Sequence, residues 1–167
     1  SALPPFALQR LDEDNMLIAS LYPKFKYSTI MTIHLWLEKN PFDEEFYGLI
    51  ESPIHWVFNH NKHISLTVSD ADEFNELSKD ATINTALKEL EKYFPLFNRG
   101  LVKDYKIIKE KRATFVPDPE TESQREQLAS NLENLILAGD WSTTGLPATI
   151  ESGIKSGFLA AEEVLKN

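Results

Sequence analysis

Residues 135–157, with the sequence LILAGDWSTTGLPATIESGIKSG, constrain this chain more than any other stretch. The apolar run 135–137 is typical of a fully buried parallel strand, although periodicity alone does not separate such a run from a buried helical turn. Asp140 follows the run, and Pro147 stands where a first helical turn is expected. The segment therefore predicts a strand, an acidic loop and a helix, in that order.

The predicted loop and helix have properties of a binding site. The amino-terminal end of a helix presents free backbone N–H groups and the positive end of its dipole, which can hold an anion or a polarised carbonyl oxygen. Gly153 and Gly157, followed by Ala161, form a ridge without large side chains on one helix face, and such a ridge predicts a close neighbour. On this pattern alone, a ligand site and ordinary strand–helix packing both stay open.

Residues 137–165 resemble the carboxy-terminal, flavin-contacting segment of the FAD-dependent amine oxidase and phytoene desaturase superfamily. The pattern GDW-x-x-TGLPATIE-x-x-x-x-SG, with IKEKRATF at 108–115, resembles one branch more closely, the squalene-associated hydroxysqualene dehydroxylases of hopanoid biosynthesis. YSTIMTIHLWL at 27–37 and IHWVFNH at 54–60 are also similar to that branch. The resemblance thus runs from about residue 27 to the end of the chain.

The resemblance implies a cofactor-binding role for residues of the loop and the start of the helix. Asp140 would accept hydrogen bonds from the hydroxyls of the ribityl chain, and a backbone N–H at the helix start would stabilise negative charge on the reduced flavin ring. Pro147 has no N–H to offer, so the donor would be the amide of Leu146, Ala148 or Thr149. The implied contacts are Gly139, Asp140, Trp141, Gly145, Leu146, Pro147, Ala148 and Thr149.

The implied reaction is the FAD-dependent removal of a hydroxyl from hydroxysqualene to give squalene, with a hydride from the flavin and an acid that assists the departure of water. The sequence assigns no residue to that acid, so the catalytic residues stay unknown. Two other classes remain open. They are a phytoene desaturase-like or amine oxidase-like flavoenzyme, and a non-catalytic binding module with a vestigial flavin motif.

The chain has 6 glycines, and none of them stands in a G-x-G-x-x-G context after a predicted strand. Because the resembled family carries that fingerprint near its amino terminus, we expect a carboxy-terminal fragment that binds FAD weakly or not at all and is inactive alone. The expected division is a partial substrate-binding domain at 1–110 and the last segment of the FAD-binding domain at 111–167. The small-residue ridge on the helix would favour a homodimer of such a fragment.

Charge and composition limit the partners. The net charge is −9, from 17 basic and 26 acidic residues, which argues against nucleic acid or an anionic membrane surface as the main partner. No stretch approaches the roughly 20 apolar residues that a membrane span requires. The chain has no cysteine, so it offers no disulfide or thiolate. We expect a cytoplasmic protein that makes peripheral membrane contact to reach an apolar substrate.

The remaining pattern predicts an α+β fold. Residues 28–37 alternate as a strand, and 46–51, 55–59 and 64–69 follow as an antiparallel meander. A one-sided helix at 79–94 is expected to cover this mainly antiparallel sheet, and a strand at 101–108 and a linker at 120–130 lead to a Rossmann-like strand–helix unit. The basic residues of 103–112 predict a solvated sheet edge; they are Lys103, Lys106, Lys109, Lys111 and Arg112.

Two side-chain groups invite functional hypotheses. Trp36, His55, Trp56 and Phe58 could line an apolar pocket for a lipid-sized ligand, with core packing as the alternative. A metal site at the His60-x-x-His63 pair is disfavoured, because the pair lies in a turn with no nearby carboxylate pattern. No metal is therefore expected.

Overall fold

The computed structural model describes residues 4–8, 25–126 and 135–166. Within it the chain divides into two units. One unit is Tyr27–Thr114, and the other joins Phe115–Asn167 to Ser1–Lys26.

The first unit is built on a five-stranded antiparallel sheet. The strands are β1 (Tyr27–Leu37), β2 (Phe46–Gly48), β3 (Trp56–Asn59), β4 (His63–Val68) and β5 (Val102–Phe115), and their order in the sheet is β2-β3-β4-β1-β5. Along the pair of β1 and β4, Met31 lies opposite Val68 and Trp36 lies opposite His63. The predicted meander of β2, β3 and β4 is thus confirmed, although β2 ends at Gly48 and not at residue 51.

The core lies on one face of this sheet, under α2 (Lys79–Tyr93). Because side chains alternate along a strand, Met31, Ile33 and Leu35 of β1 all point into the core and are fully buried. The helix begins at the predicted residue, where the Ser78 hydroxyl accepts a hydrogen bond from the amide of Ala81 at 3.1 Å. Burying a side chain such as that of Leu35 contributes about 2 kcal/mol to folding. The predicted covering helix is confirmed.

The basic segment lies at the edge of the sheet, as the sequence predicts. The amide of Glu38 donates to the Leu101 carbonyl at 2.8 Å, where β5 begins beside β1. The strand predicted at 101–108 is confirmed and is longer than predicted, since β5 continues to Phe115. Lys109 departs from the solvated pattern, since its Nζ donates to the backbone carbonyls of Phe74 and Leu77.

In the second unit the described helices are α1 (Pro5–Leu8), α3 (Pro119–Glu126) and α4 (Ile150–Lys166). The prediction of a buried strand at 135–137 is wrong: these residues form no strand and are only half-buried. A strand needs a neighbour for its backbone hydrogen bonds, and no described strand pairs with this run. The predicted linker at 120–130, for which the sequence allows one helical turn, is helical over its described part, and 127–130 lie outside the described residues.

The α+β class, the mainly antiparallel sheet and its covering helix are therefore as predicted. Among the described residues, no helix is long and apolar enough to cross a bilayer.

Candidate functional site

The 139–149 loop lies between the half-buried run 135–138 and α4. Its first residue is fixed by packing, because a Cβ added at Gly139 would lie 2.2 Å from Nε1 of Trp141. The indole of Trp141 is 2% exposed. Only glycine fits beside this ring, so the first residue of the loop cannot carry a side chain in this conformation.

Two buried serines of α4 hold the start of the loop. Ser156 Oγ accepts a hydrogen bond from the Gly139 amide at 2.8 Å. Ser152 Oγ lies 2.6 Å from the Thr144 hydroxyl and donates to the Asp140 carbonyl at 3.3 Å. Both serines are almost fully buried, with Ser152 0% exposed and Ser156 3% exposed. The face of α4 that packs on the loop is therefore polar.

Arg125 of α3 holds the rest of the loop. Its Nη2 donates to the carbonyls of Ser142 and Leu146, each at 3.0 Å. Its Nη1 pairs with the carboxylate of Glu122 at 2.8 Å, and its guanidinium stacks 5.1 Å from the centre of the Phe115 ring. Weaker bonds at 3.3 Å reach two further carbonyls, those of Asp140 and Trp141. One buried cation thus satisfies most of the inward carbonyls of the loop.

Sequence reasoning missed Arg125. The residue sits in a polar run that has no apolar periodicity to distinguish it from its neighbours. The signal available was indirect: an irregular loop that packs inward needs donors for its carbonyls, and a buried arginine offers five N–H groups.

The helix begins later than predicted. Pro147 lies in the loop, and Thr149 caps α4 by accepting the Ser152 amide on its Oγ1 at 3.2 Å. The amide of Leu146 is engaged by the Thr144 hydroxyl at 3.3 Å, so it is not a free donor. A threonine cap outweighs the preference of proline for the first turn here.

Several polar groups of the loop make no hydrogen bond within the described part of the chain. Among them are the carboxylate of Asp140 and the backbone amides of Ala148 and Thr149. Gly145, with φ at +74° and no atom within 4 Å of an added Cβ, is exposed. These groups can accept and donate further hydrogen bonds.

The glycine ridge of α4 is used only in part. An added Cβ at Gly153 would lie 4.0 Å from the Asp140 amide, whereas one at Gly157 would meet nothing within 4 Å. Large apolar side chains of α4 are exposed instead; they are Ile150, Ile154, Phe158, Leu159, Val164 and Leu165.

The second candidate feature is the outer face of the sheet, on the side opposite α2. Trp36, Trp56 and Phe58 lie there with 38%, 42% and 37% of their surface exposed, so they are not core residues. The Trp56 and Phe58 rings stack with centroids 6.3 Å apart. His55 does not join them by stacking; its Nδ1 accepts the Ser69 amide at 3.2 Å. We call this surface the aromatic face.

The imidazoles of His34 and His63 lie beside these rings. His34 Nδ1 is 2.9 Å from the hydroxyl of Ser65, and the His34 ring lies 6.2 Å from Trp36 and 5.9 Å from His63. Burial lowers the pKa of His34 below its ordinary 6.5, and the nearby charges of His63, His60 and Lys106 lower it further. Among the described residues, no three acidic or histidine side chains group as metal ligands.

Comparison of the chain with known proteins identifies a family and several relatives. The family model for flavin containing amine oxidoreductase matches residues 1–165. Hydroxysqualene dehydroxylase of Zymomonas mobilis is 30% identical over 99% of this chain and 38% of its own length. Its counterpart from Rhodopseudomonas palustris is 32% identical over 88% of this chain and 36% of its length.

More distant relatives extend the comparison. The 15-cis-phytoene desaturase of Synechococcus elongatus is 23% identical over 81% of this chain and 32% of its own length. The chain therefore spans between 32% and 38% of the length of these curated relatives.

Two solved structures share the fold at low identity. An Exiguobacterium sp. 255-15 protein assigned as a protoporphyrinogen oxidase gives a TM-score of 0.68 at 13% identity, over 99% of this chain and 40% of that one. Reduced UDP-galactopyranose mutase gives 0.61 at 14% identity, over 84% of this chain and 35% of that one. The family match over nearly every residue, together with this shared fold, shows that the chain belongs to the flavin containing amine oxidoreductase family.

Proposed function

We propose that the complete protein containing this sequence is an FAD-dependent oxidoreductase of long isoprenoids. Its reaction would be the reductive dehydroxylation of hydroxysqualene to squalene, a step of hopanoid biosynthesis. The observation that carries the proposal is the similarity to a hydroxysqualene dehydroxylase across 99% of this chain, because it includes both the loop and the sheet.

The residues of the loop fit a flavin. The Asp140 carboxylate and the amides of Ala148 and Thr149 have no hydrogen-bond partner among the described residues, whereas the side of Gly139 that lacks a Cβ is filled by the indole of Trp141. A bound flavin supplies hydride transfer. In this proposal Asp140 accepts hydrogen bonds from the ribityl hydroxyls, and Ala148 or Thr149 donates to the ring.

The other expected contacts keep narrower roles. Leu146 can no longer serve through its amide or its carbonyl, which Thr144 and Arg125 engage. We propose that Gly145, Leu146 and Pro147 make van der Waals contacts with the flavin ring, and that Trp141 holds Gly139 in place by packing against it.

We propose that residues 1–110 form part of a substrate-binding domain and that 111–167 form the last segment of an FAD-binding, Rossmann-like domain. The two structural units differ from this division, because residues 1–26 group with 115–167. The aromatic face would then line the site of an isoprenoid, whose hydrocarbon chain packs well on aromatic rings. Because such substrates partition into membranes, we propose a cytoplasmic protein with peripheral membrane contact.

The test is a substrate panel with protein expressed from the complete open reading frame. The purified protein should be yellow and should convert hydroxysqualene to squalene when the flavin is reduced. Desaturation of phytoene, or oxidation of amines, would support the alternative flavoenzyme classes instead. Absence of flavin and of all three activities would favour a binding module.

The chain of 167 residues tests the cofactor proposal separately. We expect it to bind FAD weakly or not at all in an equilibrium titration. Tight binding would contradict the expectation that a further dinucleotide-binding segment is essential.

A further inference from the structure

Arg125 is hydrogen-bonded to both ends of the segment that carries the proposed flavin contacts. Its Nη2 lies 3.3 Å from the Asp140 carbonyl and 3.0 Å from the Leu146 carbonyl, and its Nε donates to the Trp141 carbonyl at 3.3 Å. Asp140 carries the carboxylate expected to meet the ribityl chain, and Leu146 stands two residues before Ala148. One guanidinium therefore sets the position of the expected acceptor relative to the expected donors.

The guanidinium of Arg125 is itself fixed by contacts on its other sides. Glu122 accepts two hydrogen bonds from Nη1, at 2.8 Å and 3.0 Å, and the Phe115 ring centre lies 5.1 Å from the guanidinium carbon. The backbone carbonyl of Arg125 accepts a hydrogen bond from the Thr143 hydroxyl at 2.6 Å, which joins the loop to α3 at the same residue. Because Arg125 is almost fully buried, close packing leaves its side chain little room to change partners.

The number of carbonyls around Arg125 explains why this position carries an arginine. The side chain donates to carbonyls of four loop residues, spread over 140–146. Arginine presents five N–H donors in one plane, whereas lysine presents three donors on a single nitrogen. Lysine would keep the positive charge here but could not reach all of these carbonyls. Substitution by lysine therefore separates the geometry of the contacts from their charge.

We propose that Arg125 is a positioning residue for the flavin, which through the loop backbone places the Asp140 carboxylate and the amides of Ala148 and Thr149 against the cofactor. The assignment rests on the proposed function, in which these groups contact FAD. In this role Arg125 acts through the loop and touches neither cofactor nor substrate. The role goes beyond folding, because the same contacts govern the affinity for FAD and its reduction potential.

The direction of the change in reduction potential follows from the form of the flavin that each contact favours. An N–H that donates to the ring stabilises the negative charge of the reduced form, whereas the ribityl hydroxyls that Asp140 would bind keep their charge in both forms. A displaced loop therefore weakens binding of the reduced form more than binding of the oxidised form. Because the reduction potential depends on the ratio of these affinities, it becomes more negative, by about 30 mV for each tenfold change in the ratio.

The first experiment uses protein from the complete open reading frame, from which FAD is removed and then titrated back. R125K should raise the dissociation constant of FAD by about 10- to 100-fold, the loss expected when one hydrogen bond to a carboxylate is misplaced. Its reduction potential should be more negative than that of the wild type. E122Q is the matched control, because it removes the carboxylate partner and leaves the hydrogen bonds of Arg125 to the loop. Its affinity and potential should equal those of the wild type.

The second comparison separates positioning from a general loss of stability. Leu90 is fully buried in the core of the other unit, so L90A should destabilise the protein to an extent comparable with R125K while the loop keeps its hydrogen bonds. L90A should therefore bind FAD as tightly as the wild type.

A further variant keeps the test decisive if R125K does not fold. F115L retains the charge of Arg125 and its hydrogen-bond donors, but it removes the ring against which the guanidinium packs. It should weaken FAD binding about two- to fivefold, the usual value of such a contact. An F115L protein that binds FAD as tightly as the wild type would then overturn the assignment.

The outcomes separate the role of Arg125 from the proposed function. If the wild type binds FAD and R125K binds it with the same affinity and potential, Arg125 supports folding alone, while the proposed function stands. Equal weakening of FAD binding in L90A and R125K would also overturn the assignment. If the wild type binds no flavin, both proposals are wrong. If it binds flavin but leaves hydroxysqualene unchanged, the proposed reaction is wrong, whereas the result with R125K still decides the role of Arg125.

Discussion

Arg125 is the residue on which the geometry of the 139–149 loop depends most. It is 4% exposed, and it donates to the carbonyls of Ser142 and Leu146, which have no other donor among the described residues. Its carboxylate partner, Glu122, is by contrast half-exposed. The energetic value of Arg125 therefore lies in its hydrogen bonds to the loop more than in the ion pair.

Replacing Arg125 by glutamine should lower the free energy of unfolding by about 3 kcal/mol, because buried carbonyls lose their donor. Replacing Glu122 by glutamine should cost at most about 1 kcal/mol, as for other pairs near solvent. Urea denaturation of both variants checks the difference. Equal losses would mean that the ion pair, and not the loop contacts, carries the stability.

Gly139 and Gly157 form a second matched pair of sites. G139A should lose about 1–3 kcal/mol of unfolding free energy, since its Cβ would force Trp141 to move. G157A should gain about 0.5–1 kcal/mol, because a helix interior prefers alanine and nothing opposes the methyl group. Thermal denaturation measures both changes. A neutral G139A would contradict the tight contact with the indole.

At the level of elements, the sequence predicts those whose side chains repeat with a regular period. The strand β1 and the helix α2 each have a continuous apolar stripe, so their positions and buried faces follow from the pattern. The 139–149 loop has no such period. Its structure depends on hydrogen bonds donated by Ser152 and Arg125 and on one that Ser156 accepts from the Gly139 amide, and these residues are unremarkable in type.

The same reasoning explains the incorrect predictions. The apolar run 135–137 resembles a strand locally, but a strand requires a pairing partner, and the described chain provides none. Because proline favours a first turn, the sequence predicts that α4 starts at Pro147, whereas the Thr149 hydroxyl, by accepting the Ser152 amide, sets the start at Ile150.

Asp72 connects two elements of the first unit and gives its stability a pH dependence. The Asp72 carboxylate accepts hydrogen bonds from the Thr29 amide at 3.0 Å and from Asn75 at 3.3 Å. These bonds, those from Thr29 first, hold the pKa of Asp72 below its ordinary 3.8. Since the folded state favours the charged form, this stabilisation is complete above the unfolded pKa and is lost as pH falls through the lower folded pKa.

Unfolding free energies measured in urea at a series of acidic pH values check this dependence. The wild type should lose stability as the pH is lowered below about 4, and D72N should lose less over the same range. Identical slopes for the two proteins would show that Asp72 does not contribute.

For the whole molecule, the exposed apolar side chains of α4 predict association. Ile154 and Phe158 are 53% and 69% exposed, one turn apart on the helix. Light scattering of the chain at high concentration should therefore give the mass of a dimer, and F158S should shift the equilibrium towards the monomer. A monomeric mass for the unchanged chain at high concentration would contradict this prediction.

A single anaerobic turnover tests whether the complete protein removes the hydroxyl of hydroxysqualene. Protein from the complete reading frame is reduced until its flavin is colourless, mixed with hydroxysqualene without oxygen, and followed by absorbance and by product analysis. We expect the flavin to regain its yellow colour and one squalene to form for each flavin reoxidised. A flavin that stays reduced in the presence of hydroxysqualene would rule out the proposed reaction.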